Sequence, residues 1–406
     1  MSRVRGYPRL FLCFYVLLGV AWVSGLHEKL MPHEGAFVTD FVNVYTAGVV
    51  VHEGRPAGAY DWGEQKNRQD KLTQSVSKAD SSIQDSGFIP WLYPPMFLGI
   101  AWLVAFFPYF IALGVYSVLG FVAFGATLRK LAPQYKETKW ALAAFPGVFI
   151  NLFSGQNGFI TTALLAAGLF LLEESPIVAG IAFGALSYKP HFFALIPLVL
   201  IVGRYWKALA STLVSAALCA GLSLIVFGFE SWQAFASGLA ATRTNILEIG
   251  TDRWLGILHS VFSMVRVLGG GVQTAYAIQT IVAGCAVLDL LWIWSRKSSS
   301  LAVRGASLAA ALLLASPYSF VYDQVLLAIP IALLARQGIQ NGFLSYEKTF
   351  LFALWLLPFL VQDSGKNFMF PLTPPMLIGL MWVCWRRMRV EISPYLVSAQ
   401  ASAKDF

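Results

Sequence analysis

Apolar residues along this chain come in long blocks separated by short polar or basic stretches. The blocks lie at about 10–26, 92–106, 109–128, 140–153, 158–172, 177–189, 191–203, 207–227, 272–294, 301–315, 324–335, 349–362 and 371–385. Blocks of this length span or nearly span a bilayer core, which takes about 20 helical residues. Backbone polar groups in lipid must be satisfied within the segment, so the predicted elements are helices. The chain is thus predicted to be an all-α polytopic membrane protein with 11–13 transmembrane or half-membrane helices. A single integral membrane domain covers residues 1–406. Between the first two blocks lies a hydrophilic stretch, 27–90. Within it Phe41, Val44, Tyr45, Gly48 and Val49 recur at three- and four-residue spacing, the pattern of an amphipathic helix lying on the membrane surface. Residues 66–86 are polar and read as a loop. A second hydrophilic region covers 228–270.

Composition narrows the class. Of 406 residues, 57% are hydrophobic and 12% charged, about half the charged fraction of soluble domains. A soluble fold is excluded. The net charge of +8 does not indicate nucleic acid, because the basic residues cluster between apolar blocks as positive-inside topology requires. Arg3, Arg5 and Arg9 place the N-terminus inside, and Arg386, Arg387 and Arg389 place the C-terminus inside. Residues 27–90 then fall outside, in a bacterial inner membrane. Val23-Ser24-Gly25 is a poor cleavage site, so the first block reads as an uncleaved helix. One region resists: two full crossings between 92 and 128 would put Arg129 and Lys130 outside. Either the segment opening at Tyr93-Pro94-Pro95 is a half-span, or 140–153 does not cross fully. The four cysteines and five histidines show no metal-ligand spacing. No cofactor is expected, and the chemistry does not require a divalent metal.

Polar residues beside apolar spans are costly and mark function. Asp40, Tyr93-Pro94-Pro95, Gly155-Gln156-Asn157, Lys189-Pro190-His191 and Ser316-Pro317-Tyr318 through Asp323 all fall on the predicted outer side. Asp40 reads either as a helix N-cap or as a functional carboxylate. Lys189 reads as a headgroup anchor or, being a cation placed against the charge bias, as a phosphate ligand, with His191 as a further donor. Gln156 is a tight-turn residue or a sugar ligand. Arg243, Arg253 and Arg266 can hold phosphate or contact headgroups. Asp289, near the far end of its span, reads as a polar contact between helices.

The run Asp40-Phe41, Tyr45, Ala47-Gly48, Gly54 and Tyr60-Asp61 resembles the first outer loop of glycosyltransferase family 87. So do Tyr93-Pro94-Pro95, Asn151 to Asn157, Lys189-Pro190, Phe227-Gly228 with Glu230-Ser231-Trp232, and Ser316-Pro317-Tyr318. The likeness spans residues 37–335. It implies a GT-C-type fold and a polyprenyl-phosphate sugar donor, with a glycolipid or glycan acceptor and mannose as the default sugar. It also implies a catalytic aspartate at Asp40. Many relatives carry a histidine after the Ser-Pro motif, where this chain has Val321-Tyr322-Asp323.

The expected chemistry is one inverting displacement on the outer face. Asp40 acts as base. Lys189, His191, Arg243 and Arg253 steady the leaving phosphate, and Tyr45, Tyr93, Gln156, Asn157, Tyr318 and Asp323 contact substrate. The main alternative, a lipid-linked sugar transporter, requires polar groups at mid-depth and repeat symmetry, and neither is evident. A non-enzymatic scaffold leaves the one-sided polar cluster unexplained.

Overall fold

The structure, a computed structural model, describes residues 7–23, 39–76, 88–361 and 371–402, except positions 133, 136 and 251. Among these the regular structure is helical, with one isolated antiparallel bridge between Leu258 and Phe320. In chain order the helices are α1 (Tyr7–Val23), α2 (Val42–His52), α3 (Trp62–Val76), α4 (Leu98–Val104), α5 (Tyr109–Leu131), α6 (Thr138–Ala143), α7 (Pro146–Ser154), α8 (Gly158–Leu171), α9 (Pro176–Ala185) and α10 (Pro190–Phe193). There follow α11 (Leu195–Val202), α12 (Trp206–Thr242), α13 (Asp252–Ile257), α14 (Val261–Val267), α15 (Val272–Ser295), α16 (Leu301–Ala315), α17 (Ala328–Asn341), α18 (Glu347–Leu360) and α19 (Thr373–Ser402). Each apolar block of the sequence forms helix over most of its described residues. Among the described residues, three helices are each long and apolar enough to cross a membrane: α5, α15, and α12 with the π-helical turn that carries it to Ile249. The centre of the bundle is α16, whose Val303–Leu314 stretch is buried on every side, as befits a helix that is apolar all round.

Two ends of the bundle are chemically distinct. At one, the Arg9 guanidinium lies 5.5 Å from the Trp140 ring. There also Arg336 donates to the Lys130 carbonyl and Trp355 Nε1 to the Ala141 carbonyl. At the other, Thr39 Oγ1 lies 3.4 Å from Tyr109 Oη, so α5 starts beside Asp40 and ends among the basic residues. This resolves the conflict around Arg129 and Lys130. The helix α4 has seven residues, about 10 Å at 1.5 Å per residue, far short of a ~30 Å core. It stays at the Asp40 end, folded against α2, and α5 alone carries the chain to the basic end.

The helix expected after the first span is present as α2, but it does not lie on a surface. Val42, Asn43, Val44, Thr46, Ala47, Gly48 and Val50 are all buried, on both faces. Two of its buried polar side chains donate to carbonyls: Asn43 Nδ2 to that of Pro90 and Thr46 Oγ1 to that of Val42. The contact with α4 depends on Gly48, where a Cβ would stand 2.0 Å from the Ala101 carbonyl oxygen. Gly48→Val should therefore push α4 away and cost at least the ~1–3 kcal/mol typical of overpacking. Thermal unfolding in detergent reads this directly, and an unchanged midpoint would show that the contact adjusts freely.

Residues 66–76, expected as loop, are helical within α3. Asp61 starts that helix by accepting from the Glu64 N–H at 3.0 Å, the N-cap role that suits aspartate. Arg68 and Arg55 both pair with Glu53 and Glu64, tying α3 to the end of α2. Arg68, then Arg55, hold Glu53 below the usual carboxylate range, and Arg55 does so for Glu64. The remainder of the expected loop, 77–87, lies outside the described residues.

The tightest helix pair is α9 with α12. At Gly180 and Gly184 a Cβ would meet the Ala208 and Thr212 carbonyl oxygens at 2.5 and 2.6 Å. Across this seam Ser211 Oγ donates to the Ile177 carbonyl and Ser215 Oγ to the Ile181 carbonyl. Small residues four apart let two helix backbones meet in an apolar medium. The pair fixes the end of α9, from which Lys189 emerges.

Candidate active site

A cavity of about 240 Å³ opens at the Asp40 end. Its polar lining is Asp40, Asn43, Tyr93, Gln156, Lys189, His191 and Asp323; its apolar wall includes Leu92, Phe235, Leu239, Trp254 and Ile257. Asp40, Tyr93, Gln156 and Lys189 stand in breaks between helices, whereas Asn43 and His191 lie in α2 and α10. Asp40 immediately precedes Phe41, the N-cap of α2, and its carbonyl accepts from the Asn43 N–H at 3.2 Å. Beside it runs the Gly155 turn. Gly155 has φ 62°, and a Cβ there would meet Thr39 Oγ1 and Phe41 Cβ at 2.8 Å. Glycine is thus required for the turn to sit against the Asp40 segment. The next residue, Gln156, lines the cavity and accepts from Tyr93 Oη at 3.1 Å. Tyr93 is held by Tyr60 Oη, which donates to its carbonyl at 2.9 Å.

Lys189 stands between the 3-10 turn Leu186–Tyr188 and α10, and Pro190 at the start of α10 favours an extended backbone at Lys189. The sequence presented Lys189 as a lone cation; the structure pairs it. Lys189 Nζ donates to Asp323 Oδ1 at 2.5 Å, with the side chains 2% and 1% exposed. The other carboxylate oxygen, Asp323 Oδ2, accepts from the Phe320 N–H at 3.1 Å. Both oxygens of Asp323 are therefore engaged. The Lys189 ammonium also lies 5.2 Å from the Tyr322 ring. Around the cavity the described charges are two carboxylates and one ammonium. A buried pair of this kind owes its persistence to mutual neutralisation, because either charge alone in a dry site is costly.

Behind Asp323 a second polar knot braces the turn Val321–Leu327. Gln324 Nε2 bonds both His259 Nδ1 and Thr373 Oγ1, and the His259 N–H donates to the Ser319 carbonyl at 2.7 Å. Burial pushes His259 down to about 4, so it is a neutral acceptor here.

Other expected site residues fall elsewhere. Tyr45 packs on Phe41 and Tyr109 and does not line the cavity. Asn157 is fully buried beneath it. Arg243 points outward and pairs with Glu248 at 3.1 Å, 59% exposed, because the π-helical turn Arg243–Ile249 carries it past the rim, where Thr242 is the last lining residue of α12. Arg266 donates to the Gly270 and Glu248 carbonyls. The Arg253 side chain lies outside the described residues. Tyr318 does line the cavity. Sequence reasoning missed the α12 side of the cavity, made by Phe235, Leu239 and Thr242. Their i, i+4, i+7 spacing on one helix face was the available signal.

Residues 91–317, more than half of the chain, match the sequence profile of glycosyltransferase family 87. The chain belongs to glycosyltransferase family 87. It is accordingly a membrane glycosyltransferase. Comparison with curated proteins and with solved structures returned no match. The family match includes Tyr93, Gln156, Lys189, His191 and the apolar wall. Asp40 and Asp323 lie outside it, and their membership of the site rests on the cavity they share with the matched residues.

Proposed function

We propose that this family 87 enzyme moves a hexose, mannose by default, from a polyprenyl-phosphate donor to a hydroxyl of a glycolipid or glycan acceptor. The observation that carries the reading is the two-faced cavity: one side holds Asp40, Lys189 and His191, the other is the apolar face of α12. Leu239 belongs to that wall and is still 53% exposed. The cavity is therefore open along the apolar flank of α12, where Ile225, Val226 and Phe229 also face outward. That flank suits a donor whose tail stays in lipid while its phosphate and sugar reach the polar side.

In the proposed step the acceptor hydroxyl oxygen attacks the anomeric carbon. The bond from that carbon to the phosphate oxygen breaks, its electron pair leaves with polyprenyl phosphate, and the configuration inverts. Asp40 takes the hydroxyl proton. Lysine has three N–H donors; Asp323 takes one, and another steadies the leaving phosphate where negative charge develops. Purified protein supplied with labelled polyprenyl-phosphate hexoses should release the sugar to an acceptor. Failure with every such donor, alongside transfer from a soluble nucleotide sugar, would overturn the donor class.

The reading also requires the Asp40 end to face outward, as the basic residues at the opposite end favour. Reporters at Gly58 and Gly342 should give outside and inside signals. An inside signal at Gly58 would refute this orientation.

A further inference from the structure

A second cavity, about 160 Å³, lies near the basic end of the bundle, remote from the site above. Ala132, Thr138, Ala141, Leu142, Phe145, Ala328, Ile331, Ala332, Ala335 and Trp355 form it; Thr138 is the one polar side chain. The end of α5, the helix α6, the first turns of α17 and the middle of α18 thus enclose an apolar crevice. Three of these walls carry a cation within two residues of a lining position: Lys130 before Ala132, Lys139 after Thr138, and Arg336 after Ala335. All three cations are exposed, as is Arg129. Lys139 lies 5.3 Å from the Trp140 ring, which Arg9 approaches from 5.5 Å. The acidic residue on this rim is Glu137, itself engaged with a neighbour. Arg336 spends one guanidinium donor on the Lys130 carbonyl and retains others.

An apolar crevice under a cationic rim matches one class of amphiphile, a hydrocarbon chain bearing an anionic head. We infer that this crevice is a binding site for an anionic glycerophospholipid, with part of an acyl chain among Ala332, Ala335 and Trp355 and the headgroup phosphate against Lys130, Lys139 and Arg336. Neither element suffices alone. The rim by itself would hold free phosphate weakly, and the crevice by itself would not distinguish anionic from zwitterionic lipid.

The test uses the full-length protein, purified in detergent and freed of lipid, with binding followed by native mass spectrometry. Phosphatidylglycerol should bind with a defined stoichiometry and phosphatidylcholine at least tenfold more weakly. Lys130→Gln with Lys139→Gln should weaken phosphatidylglycerol by roughly thirtyfold, since each cation near such a surface contributes about 1 kcal/mol. Ala335→Phe should weaken it by blocking the crevice without altering charge. Sugar transfer measured in detergent gives a separate readout, so loss of this lipid site leaves the catalytic reading intact. Equal binding of phosphatidylcholine, displacement by millimolar inorganic phosphate, or unchanged binding in both variants would each overturn the inference.

Discussion

Asp40→Asn is expected to lower turnover by roughly 10²–10⁴, the range for loss of a general base, while the protein still folds and binds donor. Two carboxylates line the cavity, Asp40 and Asp323. Asp323 has both oxygens committed, one to Lys189 and one to the Phe320 N–H. Asp40 is half-buried and opens on the cavity from the segment before α2. Asparagine caps a helix about as well as aspartate, so the asparagine variant leaves the start of α2 intact. Asp61, the other carboxylate in the family-like loop motif, is occupied in capping α3. The measurement is single-turnover transfer from a labelled donor beside equilibrium donor binding. Near-normal transfer in Asp40→Asn would remove Asp40 from the chemistry and turn attention to Asp323.

Breaking the Lys189–Asp323 pair should be the most damaging change to stability. Removing one member of a buried pair strands the other charge and costs about 3–5 kcal/mol. Lys189→Met and Asp323→Asn should each lower the unfolding temperature in detergent sharply. The double variant, with no charge left to strand, should recover much of that loss. It should not recover transfer, because the leaving phosphate would still lack the Lys189 donor. If the double variant transfers sugar normally, the pair is a structural brace alone. If each single variant unfolds like the parent, the pair is not dry.

The helices were legible because apolar blocks in a membrane protein report burial almost directly. What the sequence concealed was the direction of polar residues. Asn43 and Thr46 lie where an outward face would be, yet both are buried against carbonyls; helical periodicity cannot tell a solvated polar stripe from a hydrogen-bonded one. The helix α3 went unread because it has no apolar repeat, although Asp61-Trp62-Gly63-Glu64 carries a cap signature and Lys66 pairs with Asp70 one turn on. In the site, the position of Lys189 against the charge bias pointed to a phosphate, whereas its partner among the described residues is the Asp323 carboxylate. The partner is 134 residues away in sequence, beyond what local pattern can find. Arg243 illustrates the reverse error. Its charge suited phosphate, but a π-helical turn aims it outward to Glu248.

The bend in α12 carries a consequence for substrate choice. Gly228 interrupts this helix with φ 75° and ψ 163°, a backbone region essentially reserved for glycine. Before the bend, α12 is locked to α9 through Gly180 and Gly184. After it, Phe235 and Leu239 contribute to the apolar wall, while α9 leads on to Lys189. The two jaws of the cavity therefore spring from one clamped pair and diverge at a single joint, like a caliper whose opening is set at the hinge. The width between those jaws, and so the size of what the cavity admits, then follows from the angle at Gly228, which lies outside the lining.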